Sequence, residues 1–229
     1  QVAMGTREFP LGLEREGLIK IILNKLEKTP EISSKDLSEY LVKQVQLIAP
    51  NKELKDDTSI VSIYCRNPRE SLIFTGPPYH QDKDNYYAKT FIEFKGKKAI
   101  SGGTTANIIS RELNRPIKVQ LKDFDPKIPP YSEMEGAEMV TEGIITLGGV
   151  AELLESGAKT ETLNQNAVTK MVDLFLDSDR IKFVVGTKIN EAHQDPNMPV
   201  ELEIRRNVVK KIAALLQDEY LKDVSVQYF

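Results

Sequence analysis

Hydrophobic and polar positions follow a helical period through the first part of the chain. Two apolar stripes at this spacing predict helices, the first with Leu18, Ile21, Ile22 and Leu26 and the second with Leu37, Leu41, Val45 and Ile48. A run rich in β-branched residues from Ile60 to Cys65 then predicts a strand, with Cys65 as a packed thiol. Residues 1–68 are therefore expected to form a helix-helix-strand unit.

After residue 68, short apolar runs alternate with amphipathic segments. The runs predict strands at 71–75, 97–101, 117–121, 137–141, 181–186 and 224–228. The segments predict helices at 82–94, 147–154, 167–176 and 200–221, and a further helix that follows the glycine-rich turn after 97–101 and ends at Leu113. The stretch 123–135, rich in Pro and charge, predicts a surface excursion. Residues 69–229 are thus expected to form an α/β domain, with a mainly parallel sheet and flanking helices in a Rossmann-like, three-layer arrangement.

Composition narrows the classes of partner. The net charge of -3 and the lack of a basic helix interleaved with aromatic residues argue against a large nucleic-acid interface. No apolar run approaches the length of a membrane-spanning helix, and the first residues lack the features of a signal peptide. The single Cys65 excludes an intramolecular disulfide. We therefore expect a cytoplasmic protein that binds neither nucleic acid nor membrane.

The glycine-rich turn at residues 102–105 is the strongest candidate for ligand binding. Gly102 and Gly103 allow the backbone to turn tightly and to approach a ligand closely, and Thr104 or Thr105 can cap the helix that follows. The free amides at the start of such a helix bind phosphate or carboxylate. Packing between strand and helix is the alternative explanation for the same residues.

Three further turns with Thr or Gly follow predicted strands. They contain Thr75 and Gly76, then Thr141, Glu142 and Gly143, then Gly186, Thr187 and Lys188. Loops that leave the carboxyl ends of parallel strands lie along one edge of a sheet, so these turns are expected to join residues 102–105 around a phosphorylated or nucleotide-like ligand. Glu142 can accept a ribose hydroxyl or act as a base, or it can be a solvated or capping carboxylate.

The long helix near the carboxyl end predicts an apolar stripe and a basic face. The stripe is assigned to Leu202, Ile204, Val208, Ile212 and Leu215. The basic residues Arg205, Arg206, Lys210 and Lys211 are interpreted as a solvated face rather than as a binding patch.

Asp56 and Asp57 are the candidate metal ligands. Adjacent carboxylates at the entrance to a strand can bind Mg²⁺ or Mn²⁺, whereas in a polar turn they are more often solvated or capping. The residues alone do not decide between these interpretations.

Five segments together carry a resemblance to a known family. They read GTREFPLG at 5–12, KDDTSIV at 55–61, LIFTGPP at 72–78, ISGGTTANI at 100–108 and EGAEMVTEG at 135–143. In this order they resemble the carboxyl-terminal half of the stage II sporulation protein E phosphatases, a branch of the metal-dependent type 2C serine/threonine phosphatases. The resemblance extends to Leu154, and the later motifs are similar to a subgroup with an appended α/β domain.

The resemblance implies a role for Asp56 as ligand to one of two Mn²⁺ or Mg²⁺ ions, with Asp57 a weaker candidate. Such ions lower the pKa of a bridging water, which attacks the phosphorus of a phosphoserine or phosphothreonine in a protein substrate. The family's other metal aspartates lie in motifs upstream of the segment that matches Gln1. We therefore expect this chain to be part of a phosphatase, inactive alone, with residues 1–68 as the end of the phosphatase domain.

Two alternatives accompany this expectation. Residues 69–229 can act as a stand-alone phosphate- or nucleotide-binding module, or as a protein-interaction domain without enzymatic activity. The unpaired strand at 58–65 further predicts pairing with the same strand of a second molecule, which would form a homodimer.

Overall fold

A computed structural model describes residues 9–54, 56–120, 128–158, 160–188 and 201–229. The chain divides into two compact units, Gln1–Asn67 and Pro68–Phe229. Each unit is treated separately below.

The first unit contains two helices at the predicted places. They are α1 (Arg15–Lys28) and α2 (Ser34–Ile48), and a short 3-10 turn (Pro50–Lys52) follows. The hydroxyl oxygen of Ser33 accepts a hydrogen bond from the amide of Asp36 at 3.0 Å, which caps α2. Leu41 and Val45 on α2 are buried.

The strand predicted at residues 60–65 is not formed. Residues 57–69 have no regular secondary structure, and the side chains of Val61 and Ile63 are 84% and 86% exposed. Cys65 is exposed as well, so its assignment as a packed thiol is wrong. A β-branched run becomes a strand only when a neighbouring strand pairs with it, and the described part of this unit has none. Pairing of this segment with a second molecule stays a prediction.

The second unit is an α/β fold built on a seven-stranded sheet of order β3-β4-β5-β2-β1-β6-β7. The strands are β1 (Glu70–Thr75), β2 (Lys97–Ser101), β3 (Lys118–Val119), β4 (Ser132–Met134), β5 (Ala137–Thr141), β6 (Arg180–Val185) and β7 (Asp223–Tyr228). The neighbouring pairs β5-β2, β2-β1, β1-β6 and β6-β7 are parallel. At the other edge of the sheet, β4 pairs antiparallel with β5, and β3 pairs antiparallel with β4. The mainly parallel sheet expected from the sequence is confirmed.

Helices cover both faces of this sheet. They are α3 (Asp84–Glu93), α4 (Gly103–Leu113), α5 (Ile144–Ser156), α6 (Ala167–Asp177) and α7 (Glu201–Asp218). Along β1, Leu72 and Phe74 belong to the cluster with residues of α3 and α4, and Ile73 belongs to the cluster with residues of α5, α6 and α7. The period-two alternation of a strand thus places a separate apolar core on each side of the sheet.

Several boundaries differ from the sequence prediction. The predicted surface excursion at 123–135 contains β4, and its residues up to 127 lie outside the described part. Helix α5 begins at Ile144, directly after Gly143 and three residues before the predicted start at Leu147. The earlier start of α5 brings its first turn to the edge of the sheet.

Asp177, at the end of α6, joins the starts of two strands. Its carboxylate oxygens lie 2.5 Å from Nη1 of Arg69 and 2.9 Å from Nζ of Lys97. Burial would raise the pKa of Asp177, but the hydrogen bond and charge of Lys97 and the charge of Arg69 outweigh it and hold the pKa below its usual value.

Replacing Asp177 with Asn should lower the free energy of unfolding at pH 7 by about 0.5 to 1 kcal/mol, since all three groups are partly exposed. A lowered carboxyl pKa gives stability that is present above the unfolded-state value of about 3.9 and is lost as the pH falls through the folded-state pKa. The difference between wild type and Asp177→Asn should therefore shrink below about pH 4 in urea unfolding. A difference that is independent of pH would contradict this.

Candidate functional site

A cavity of about 350 Å³ lies at the carboxyl edge of β1, β2 and β5. The residues that line it include most of those predicted from the turns: Gly76, Gly102, Gly103, Thr104, Thr105, Glu142 and Gly143. Thr75 and Thr141, the buried last residues of β1 and β5, do not line the cavity. The structure therefore brings three of the four predicted turns together around one cavity.

The fourth turn, at Gly186, instead packs against the turn after β1. The amide of Gly186 donates to the carbonyl of Thr75 at 2.8 Å. A Cβ atom on Gly186 would lie 2.1 Å from the carbonyl oxygen of Pro77 and 2.2 Å from that of Gly76. The space between the ends of β1 and β6 is thus filled by backbone, and the open space lies on the other side of β1.

Two helices begin at the cavity, each directly after a glycine. Gly102 is the N-cap of α4 and Gly143 is the N-cap of α5, and neither helix start has a side-chain cap. The prediction that Thr104 or Thr105 caps α4 is therefore wrong. The amides in the first turn of a helix have no partner within it and carry a partial positive charge. Both helix starts accordingly favour an anion in the cavity.

Gly102 lines the cavity and also has a backbone conformation that favours glycine. Its φ of +124° lies in the range that residues with a Cβ rarely adopt. A Cβ on the neighbouring Gly143 would lie 3.5 Å from Cα of Gly102, so the two helix starts are in close contact. This packing accounts for glycine at both positions without any ligand, and the case for a ligand depends on the other groups in the cavity.

Arg205 of α7 supplies a buried cation to the cavity lining. Only 8% of the residue is exposed, and its Nη1 atom lies 3.5 Å from the carbonyl oxygen of Gly186. The interpretation of Arg205 as part of a solvated face is wrong, whereas Arg206, Lys210 and Lys211 are exposed as expected. A buried guanidinium at a cavity is a strong donor to phosphate or carboxylate.

The spacing of the buried residues along α7 contains a signal that could have identified Arg205 from the sequence. The buried stripe runs through Arg205, Val209, Ile212 and Leu216, at spacings of four, three and four residues. In the predicted stripe, Ile204, Val208 and Leu215 each lie one position before a residue of the buried stripe, and Ile212 is common to both. With the correct phase, a cation replaces an apolar residue at the start of a core stripe, which indicates a buried charge with a specific role.

Thr105 has a buried hydroxyl close to the cavity. The residue is 1% exposed, and no hydrogen-bond partner for its Oγ1 atom is found among the described residues. A buried hydroxyl without a partner costs about 1–3 kcal/mol, so most such groups in proteins are satisfied. Thr105 lies in the first turn of α4 and is one of the residues that line the cavity, but its Oγ1 atom is closed to solvent, so it does not count among the donors for an anion.

Ser101, at the floor of the cavity, was not among the predicted site residues. Its hydroxyl lies 3.1 Å from the carbonyl oxygen of Glu142 and 3.2 Å from that of Gly143, and it donates to this pair. The hydroxyl of Thr141 lies 3.3 Å from Ser101 Oγ. These contacts fix the β5 turn against the end of β2, so both hydroxyls position the turn. A lone Ser at a strand end carries no sequence signal for such a role.

The carboxylate of Glu142 is the one acidic group described in the lining. Its Oε2 atom accepts a hydrogen bond from the amide of Gly143 at 3.0 Å, and the residue is exposed. An acidic side chain at the start of α5 interacts favourably with the helix dipole. Glu142 therefore belongs to the cavity, as predicted from its place after β5. No hydrogen bond to its Oε1 atom is found among the described residues.

Tyr87 supports the cavity from α3. Its hydroxyl donates to the carbonyl oxygen of Gly76 at 2.7 Å in a fully buried position. Burial raises the pKa of Tyr87 far above its ordinary value, although the charge of Arg205 acts in the opposite direction. Tyr87 thus stays a neutral donor that holds the turn after β1.

Asp56 and Asp57 do not form a metal centre with other described residues. Both are exposed, and the amide of Asp57 donates to Oδ1 of Asp56 at 2.9 Å, as in a polar turn. Within the described ranges there is no group of three or more His, Cys, Asp or Glu side chains that could hold a metal ion. The donors among the described residues do not fit the two Mn²⁺ or Mg²⁺ ions that the resemblance implies.

Comparisons with known proteins find no matching family model, no matching curated protein and no matching solved structure. The resemblance to the phosphatase family consequently stays a prediction from the sequence motifs. None of the helices in the described part of the chain combines the length and the apolar character that crossing a membrane requires.

Proposed function

We propose that the unit Pro68–Phe229 binds a small phosphorylated molecule in this cavity. The observation that carries the proposal is the convergence of a buried Arg205 and the starts of α4 and α5 on one space. A phosphate group has several acceptor oxygens and can use amide and guanidinium donors together. The same donors would bind a carboxylate with fewer of their bonds satisfied.

The proposed role of this unit is to sense such a ligand for a metal-dependent serine/threonine phosphatase. That context depends on the motifs at 5–12 and 55–61, and it includes Mn²⁺ or Mg²⁺ as cofactors and a phosphoprotein as substrate. A ligand-binding module without a phosphatase partner is the alternative. Both versions require the cavity to bind phosphate, which makes that property the one to test.

Replacing Gly103 with Val should strongly weaken phosphate binding while the unit stays folded. Gly103 is the first residue of α4, it lines the cavity, and a Cβ there would meet no atom within 4 Å. The two methyl groups of Val would occupy the space above the first amides of α4 and exclude the anion. Titration calorimetry with methyl phosphate measures this, and we expect the affinity to fall at least tenfold.

The matched control is Gly148→Val. Gly148 lies within α5, a Cβ there also meets nothing within 4 Å, and the residue does not line the cavity. The control should bind methyl phosphate as wild type does. Equal affinity in wild type and in Gly103→Val would show that the anion does not bind at the start of α4, and the proposed function would be wrong.

A further inference from the structure

The cavity is larger than a phosphate group requires. Its volume of about 350 Å³ corresponds to the space of roughly ten water molecules in the liquid. A phosphate group has only a few non-hydrogen atoms, so the cavity can hold a phosphate together with an organic part. The side chains that line the remainder of the cavity therefore indicate what the organic part is.

The charges of the lining are distributed along the edge of the sheet. Arg205 lies beside Gly76 and Gly186, at the turns after β1 and β6, and Glu142 lies at the turn after β5. The start of α4, after β2, lies between them, since the strand order is β5-β2-β1-β6. The cavity thus has a cationic end, a row of amide donors in the middle and an anionic end.

The carboxylate of Glu142 would repel an anion that filled the whole cavity. A carboxylate close to a second negative charge raises the energy of the bound state. The same carboxylate is a strong acceptor for a hydroxyl group, because hydrogen bonds to an ionised oxygen are about twice as strong as neutral ones. A ligand that places its phosphate toward Arg205 and its hydroxyl groups toward Glu142 satisfies both ends.

The rim near Glu142 also has apolar surface. Ile144 and Ile145, the first two residues of α5, line the cavity, and Ile145 is 61% exposed. Such surface suits the carbon skeleton of a sugar ring better than it suits a fully hydrated inorganic ion.

We propose that the ligand is a sugar phosphate or a nucleotide, with its phosphate at the start of α4 and beside Arg205 and with its sugar hydroxyls bonded to the carboxylate of Glu142. This inference rests on the proposed function, because it assigns the organic part of the same phosphorylated ligand. Glu142 is then the residue that selects a hydroxylated phosphate ester over a phosphate without hydroxyls. Its Oε2 bond to the amide of Gly143 holds the carboxylate in place for that contact.

The test compares two phosphate monoesters that differ in their hydroxyl groups, methyl phosphate and ribose 5-phosphate. Titration calorimetry on the full chain should show at least tenfold tighter binding of ribose 5-phosphate. In Glu142→Gln, whose amide oxygen can still accept from Gly143, the affinity for ribose 5-phosphate should fall about tenfold, with the affinity for methyl phosphate unchanged or higher. Glu142→Ala should show the same selective loss.

The matched control is Glu138→Gln, an exposed carboxylate on β5 outside this cavity, which should change neither affinity. If methyl phosphate and ribose 5-phosphate bind equally, or if the Glu142 variants weaken both alike, the assignment of the sugar to Glu142 is wrong and the proposed function stands. If the wild-type chain binds neither ester, the proposed function itself is wrong.

Discussion

Replacing Arg205 with Met is expected to lower the affinity for phosphate esters roughly 10- to 150-fold, the equivalent of one charged hydrogen-bonding partner worth about 1.5–3 kcal/mol. Arg205 lines the cavity and only 8% of the residue is exposed, so solvent screens its charge only weakly. Met keeps the length and much of the volume of the Arg side chain and removes its charge. Titration calorimetry with ribose 5-phosphate gives the affinity, and urea unfolding shows whether the fold is retained.

The control is Arg206→Met on the same helix. Arg206 is exposed, and its guanidinium carbon lies 4.8 Å from the centre of the Tyr228 ring, away from the lining of the cavity. This variant has the same change of net charge and should keep wild-type affinity. Equal losses in the two variants would show that the protein's overall charge, rather than a contact with Arg205, accounts for binding.

The largest effect on stability is expected from Gly186→Ala, which should lower the free energy of unfolding by about 3 kcal/mol. The new Cβ would lie 2.1 Å from the carbonyl oxygen of Pro77 and 2.2 Å from that of Gly76, far inside contact distance. Both opposing atoms belong to the backbone, so no side-chain rotation can relieve the clash. The ends of β1 and β6 must separate, and the hydrogen bond from Gly186 to Thr75 would be strained.

Gly148→Ala is a control that should raise the free energy of unfolding instead of lowering it. Gly148 is within α5 and a Cβ there meets no atom within 4 Å, so the variant should gain about 0.5–1 kcal/mol from helix propensity. Urea unfolding of both variants, at constant m-value, measures the two effects. A loss below about 1 kcal/mol in Gly186→Ala would show that the turns after β1 and β6 are not held in contact.

The strands of the second unit could be predicted because burial on both faces of a parallel sheet produces continuous apolar runs. β1 and β6 have this pattern, and their predicted and observed bounds agree within one residue. The three residues of β4 could not be predicted in the same way, since pairing with β5 defines that strand rather than its own composition. The run at 60–65 shows the converse, because it has strand composition and no partner in the described structure.

The backbone turns that form the site could be predicted from the sequence, but the buried cation that lines it was not predicted. Threonine and glycine close together at the ends of strands identified the turns at 76, 102 and 143, since the geometry of a sheet edge brings such turns together. The side chains with the strongest chemistry were harder to place. Arg205 depends on the rotation of α7, and a shift of one residue, 100° about the helix axis, moves it from solvent to cavity.

The cavity is assembled from chain segments that are far apart in sequence, from Gly76 to Arg205. A ligand in it contacts the turns after β1, β2 and β5 and also α7, and these meet only when the sheet and both its helical layers are formed. Binding is therefore linked to folding of the whole second unit. A ligand present at a hundred times its dissociation constant would add about 2.7 kcal/mol to the free energy of unfolding. Thermal melting of this unit can consequently serve to search a collection of phosphorylated metabolites for its natural ligand.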